Sequence, residues 1–113
     1  MRILFDQGTP VGIRDYLSTH TVSTAYQLGW STLLNGELLR AAEKAGFHLL
    51  LTTDKNLVYQ QNIKNRKIAI VVLGAARWNA IRPLLKEISE IIEIAKPGSY
   101  SFIPIPDSSR QRG

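Results

Sequence analysis

A chain of 113 residues, 44% hydrophobic and 20% charged, has the length and make-up of one compact domain. It contains no cysteine, which excludes disulfide staples and thiolate metal sites, and no apolar run approaches the length of a membrane span. A formal net charge of +5 permits a polyanionic partner such as RNA or DNA without requiring one.

The opening segment, MRILFDQGT, has too short an apolar stretch for a signal peptide, so a soluble cytoplasmic protein is expected. Residues 2–5, RILF, predict a short strand. Thr9 and Pro10 predict a helix start, with Thr9 as N-cap and Pro10 in the first helical position. That helix should run to about Leu17 and bury Ile13 and Leu17. The β-branched HTVSTA at 20–25 predicts a second strand. Asn35 predicts an N-cap for GELLRAAEKAG, whose Leu38, Leu39, Ala42 and Ala45 share one side and whose Gly46 closes it.

HLLLTT at 48–53 and KIAIVVL at 67–73 lack polar alternation, which predicts central parallel strands buried on both faces. Between them a short helix is expected after Asp54, through Leu57 and Val58. The longest helix should start near Asn79, with Ile81, Leu84, Leu85, Ile88, Ile91 and Ile92 at helical spacing. Pro83 fits there only because it falls near the first turn, and Lys96-Pro97-Gly98 stops the helix. YSFIPI at 100–105 predicts an edge strand, the place in a sheet that tolerates Pro104 and Pro106. Residues 1–106 read as a single domain and 107–113, DSSRQRG, as a disordered tail.

Strands alternating with helices imply an α/β fold with a parallel sheet, in which ligands bind outside the carboxyl ends of the strands. Asp6 follows the first strand, Glu37 lies in the first turn after the second, and Asp54 follows the third. All three therefore belong to one rim of the sheet. Asp54 has an ordinary use as a helix cap and Glu37 as a partner of the helix dipole. Asp6 has no such use if Thr9 fills the capping role. Carboxylates that converge repel one another unless a cation sits between them. Mg2+ and Mn2+ prefer such oxygen ligands and can activate water for phosphodiester hydrolysis. Asp6, Glu37 and Asp54 are thus the candidate catalytic and metal-holding residues. Lys55, Lys64, Arg77 and Arg82 are candidates to hold an RNA backbone around them.

Gln7 and Asn56 fit either as partners of the carboxylates or as ordinary turn polarity. Thr52 and Thr53 fit a hydrogen bond to a phosphate, orientation of Asp54, or satisfaction of the strand-end backbone, the commonest role. His20 and His48 each begin a strand, have no third ligand, and are expected to be structural. Trp78 and Tyr59 suit base stacking and Trp30 an interface, with packing the default for all three. No phosphate-binding glycine loop and no nucleophile elbow is present.

The segments LFDQGTP, NGELLRAAEKAGFHLLLTTDKNL and KIAIVVL, in this order, resemble the PIN-like domains. In particular they are similar to small stand-alone proteins related to VapC-type toxin ribonucleases. The resemblance covers roughly residues 1 to 95. It implies a three-layer α/β/α fold around a four- to five-stranded, mainly parallel sheet. It also implies a Mg2+- or Mn2+-dependent ribonuclease site in which Asp6, Glu37 and Asp54 take the places of family acids. RNA as substrate, an antitoxin protein as partner and a homodimer follow from it as expectations, with no membrane partner. Two positions depart from the family pattern: Gln7 and Asn56 stand where relatives often carry acids. The alternative is therefore a catalytically degenerate module that binds RNA or a protein. A phosphoacceptor receiver-like domain also gathers acids at strand ends, but its acids are adjacent and its chain is longer.

Overall fold

The computed structural model describes residues 1–57 and 66–106, with Asn35 described by its backbone only. In chain order the elements are β1 (Arg2–Phe5), a 3-10 helix (Val11–Tyr16), β2 (Thr21–Thr24), α1 (Asn35–Lys44), β3 (Leu49–Thr52) and β4 (Ala69–Leu73). They continue with α2 (Trp78–Ile81), a 3-10 turn (Arg82–Leu84), α3 (Leu85–Ile94) and β5 (Tyr100–Ile103). The five strands form one sheet, all parallel, in the order β2-β1-β3-β4-β5. This is an α/β fold. β5 lies at an edge and stops at Ile103, just before Pro104.

Successive side chains of a strand point to opposite sides, and here they enter two apolar clusters. Ile3, Phe5, Leu49, Leu51, Val71 and Leu73 join Ile13 of the first 3-10 helix, Leu17 just past it, and Ile81, Leu85, Ile88 and Ile92 of the C-terminal helices. Leu4, Leu50, Ile70 and Val72 join Leu38, Leu39 and Ala42 of α1 and Phe47. The unbroken apolar runs of β3 and β4 have this cause, since both faces are covered. Each fully buried Leu or Ile contributes roughly 1.5–3 kcal/mol of transfer free energy.

Three local expectations are corrected. The first helix is a 3-10 helix with Pro10 in the capping position, and Thr9 caps nothing. The Thr9 hydroxyl is buried and donates instead to the Leu51 carbonyl at 3.1 Å, a bond across the sheet edge that local sequence does not show. α1 begins at Asn35, so its N-cap is Leu34, and the Glu37 carboxylate accepts the Leu34 N–H at 3.3 Å. The long C-terminal helix is divided. Pro83 has no N–H to offer and its ring crowds the carbonyl four residues back, so a 3-10 turn separates α2 from α3. Gly46 closes α1 as expected, with φ +86° and its N–H on the Glu43 carbonyl at 3.1 Å.

The histidines tie elements together. His20 Nδ1 lies 3.0 Å from the N-terminal amine and Nε2 lies 2.6 Å from the Glu93 carboxylate of α3. His48 Nδ1 accepts the Arg2 N–H at 2.9 Å. Trp30 packs edge-on against Phe47, ring centroids 6.1 Å apart. Among the described residues no helix is long and apolar enough to cross a membrane. Val58 of the short helix expected after Asp54, together with Tyr59, Lys64 and residues 107–113, lies outside the described residues.

Candidate functional site

The strand order reverses between β1 and β3, and at such a point an open parallel sheet leaves a crevice beyond its carboxyl edge. Asp6 is the first residue past β1. Its N–H still donates to the Leu51 carbonyl at 2.9 Å, so the ladder runs on by one bond. The register that pairs Phe5 with Leu51 then sets Asp6 beside Thr52. Thr52 is fully buried, and its hydroxyl donates to Asp6 Oδ2 at 2.7 Å while accepting the Asp54 N–H at 3.0 Å. A hydroxyl has one proton. The Asp54 N–H occupies a lone pair and leaves that proton for Asp6. The Gln7 N–H donates to Asp6 Oδ1 at 2.7 Å, and the Asn56 N–H to Asp54 Oδ1 at 2.9 Å.

Burial pushes the Asp6 carboxyl above its usual value of 3.8. The Thr52 and Gln7 bonds oppose that rise, and the negative charge of Asp54 adds to it. Two half-buried acids are thus held close enough to feel each other. Asp6, Gln7, Thr9, Val11, Thr24 and Tyr26 line a cleft of about 310 Å3 at this point. Gly8 makes the turn at φ +92°, with the Thr53 hydroxyl 3.6 Å from where a Cβ would stand.

Both acids are oxygen donors, the kind of ligand a hard cation prefers. Mg2+ commonly takes one or two carboxylates and keeps several waters. Asp6 and Asp54 offer two carboxylates, and each Asp6 oxygen has accepted one hydrogen bond of the two it can take. A closed protein cage is not what the side chains make. Among the described residues no three His, Asp or Glu side chains come together. Glu37 stands apart from the pair, exposed in the first turn of α1 with its carboxylate on the Leu34 N–H.

Of the expected RNA-contacting residues, Lys55 is exposed directly after Asp54. Arg77 is exposed at the start of α2, and Arg82 is exposed in the following 3-10 turn. Trp78 spends its ring on packing. A Cβ at Gly12 would come within 2.7 Å of it, and it lies against the cluster beneath the first 3-10 helix. Gln7 and Asn56 serve the carboxylates through their backbone N–H groups. The hydroxyl that links the acids belongs to Thr52 and not Thr53. The sequence reading missed that link and the cleft-lining Thr24 and Tyr26. The available signal was a Thr ending an apolar strand and an aromatic just past another strand end.

A larger hollow of about 520 Å3, walled by Phe47, His48, Ala95 and Pro97 among others, opens where β3 and β4 begin. It is mostly apolar and lies at the opposite edge from the acids. Comparison with protein-family models, curated proteins and solved structures finds no match to the chain.

Proposed function

We propose that the chain is a PIN-like, metal-dependent ribonuclease whose centre is the Asp6–Asp54 pair at the β1–β3 switch point. The observation that carries this reading is the shared Thr52 hydroxyl, which holds Asp6 as an acceptor 2.7 Å away and fixes the Asp54 backbone. The two apolar clusters, α1 in one and α3 in the other, fit the three-layer PIN-like arrangement. Asp6 and Asp54 would hold Mg2+ or Mn2+, which when bound lowers the pKa of a water and neutralises phosphodiester charge. Thr52 and the Gln7 N–H keep the Asp6 carboxylate oriented. Lys55, Arg77 and Arg82 would hold the RNA backbone. Glu37, the third acid that the resemblance implies, would have to leave its Leu34 N–H to join them. A toxin role with an antitoxin partner, a homodimer and a cytoplasmic location belong to the same proposal and rest on the resemblance.

The test is Mn2+ titration of the wild type and of Asp6→Asn by calorimetry, followed by incubation of both with a mixed RNA pool. The wild type should bind the ion and cleave, and the folded variant should do neither. Cleavage by Asp6→Asn at the wild-type rate would overturn the mechanism. The separation of Glu37 from the pair favours a second reading, a module that binds RNA or protein without chemistry. Its mark is RNA binding without metal-dependent turnover, unchanged in Asp6→Asn.

A further inference from the structure

We infer that Tyr26 is a stacking platform for an unpaired base beside the scissile phosphate. The inference rests on the ribonuclease reading and adds a base-binding residue to it. Tyr26 is 78% exposed and Val11 is 60% exposed, yet both line the same cleft as Asp6. An aromatic ring this open at a cleft wall gains little for the fold, since its apolar faces stay in water.

The ring is also held out by a built turn. Ala25 is buried, and its N–H donates to the Phe5 carbonyl at 2.9 Å, extending the β1–β2 ladder. The residues that come next on the two strands are Asp6 and Tyr26. Beyond it, Thr24 and Gln27 exchange two bonds of 3.0 Å, the Thr24 N–H to Gln27 Oε1 and the Gln27 N–H to Thr24 Oγ1. The Gly29 N–H bonds the Tyr26 carbonyl at 3.1 Å and the Trp30 N–H bonds the Ala25 carbonyl at 2.8 Å. Tyr26 therefore sits on a fixed frame at a fixed offset from the acid.

The cleft lining thus brings together a carboxylate, Asp6, with an aromatic and an aliphatic side chain, Tyr26 and Val11. That combination matches a nucleotide, with a phosphate to meet a cation at the carboxylates and a flat base to meet a ring. A base inside a duplex has both faces covered by its neighbours, whereas an unpaired base has a face to give. The overall charge of +5, with Lys55 exposed next to Asp54 in the chain, suits a polyanion over an acidic protein segment.

The test compares wild type, Tyr26→Ala, Tyr26→Phe and a control, Tyr16→Ala, another exposed tyrosine that does not line the cleft. Each is assayed in Mn2+ with a fluorescein-labelled oligouridylate and with a fully paired RNA duplex. KM and kcat are measured alongside Kd from anisotropy. Tyr26→Ala should raise KM or Kd for the single strand about tenfold, leaving kcat within about twofold. Tyr26→Phe, which keeps the ring, should restore affinity, and Tyr16→Ala should match the wild type. Wild-type affinity in a folded Tyr26→Ala, or equal use of the duplex by the wild type, would overturn the platform and leave the ribonuclease reading standing. Failure of the wild type to bind or cleave either RNA would overturn both.

Discussion

The buried hydroxyl of Thr52 donates to Asp6 Oδ2 at 2.7 Å and accepts the Asp54 main-chain N–H at 3.0 Å, so one side chain on β3 governs both acids. Thr52→Val keeps the shape and removes the hydroxyl. It should cost about 1–3 kcal/mol, because a charge-assisted bond is lost and the Asp54 N–H is orphaned. It should also raise the Asp6 carboxyl further above its usual range, since the Thr52 bond is one of the two that hold it down. Urea unfolding checks the first effect and NMR titration of the Asp6 carboxyl the second.

The raised Asp6 carboxyl makes a signed prediction for pH. Below the unfolded value of 3.8 both states hold the proton, and Asp6 does not weaken the fold. As pH rises through that value and then through the raised folded value, the unfolded chain gives up its proton first. Stability falls across that window and stays lower at neutral pH. Asp6→Asn carries no such loss. Its stability relative to wild type should therefore improve from about pH 3.5 to about pH 7, as measured by urea midpoints at both ends. A flat difference would mean that Asp6 is not burdened by burial.

Gly12 and Trp78 make a packing test. A Cβ at Gly12 would stand 2.7 Å from the indole, and Gly12 has no positive φ to complicate the result. Gly12→Ala should destabilise by about 1–3 kcal/mol and shift the Trp78 fluorescence. Trp78→Phe in the same chain, with a smaller ring, should recover part of the loss. Additive losses would mean that the two do not touch.

Glu37 separates a capping role from a site role. Glu37→Ala should cost about 0.5–1 kcal/mol through loss of the bond to the Leu34 N–H. Glu37→Gln keeps an acceptor there and should keep most of the stability. Mn2+ affinity unchanged in Glu37→Gln would leave Asp6 and Asp54 as the whole protein contribution, and a loss of tenfold or more would bring Glu37 into the site.

The strands were legible because buried parallel strands are written as apolar runs. RILF, HLLLTT and KIAIVVL each contain the observed element, within two residues at either end. The rim of acids was legible in part, since topology alone brings the ends of β1 and β3 together. What local sequence does not carry is register. Thr9 has the spacing of a cap, but the Leu51 carbonyl across the sheet edge takes its hydroxyl. Thr52 looks like any strand-end threonine until Phe5 is known to lie opposite Leu51. The C-terminal helix shows the reverse case. Its apolar spacing runs through Pro83 without a gap, and the break comes from a missing N–H that periodicity does not count.

The partnership of β1 with β3 also bears on how the chain acquires its chemistry. Asp6 and Thr52 are 46 positions apart, with β2 and α1 between them in the chain. Non-local pairing of this kind slows folding, because loop entropy is spent before the contacts reward it. A chain in which β1 and β3 have not paired therefore lacks the acid pair. Deuterium exchange at the Asp6 N–H, bonded to the Leu51 carbonyl, would time both the closing of the sheet and the appearance of the site.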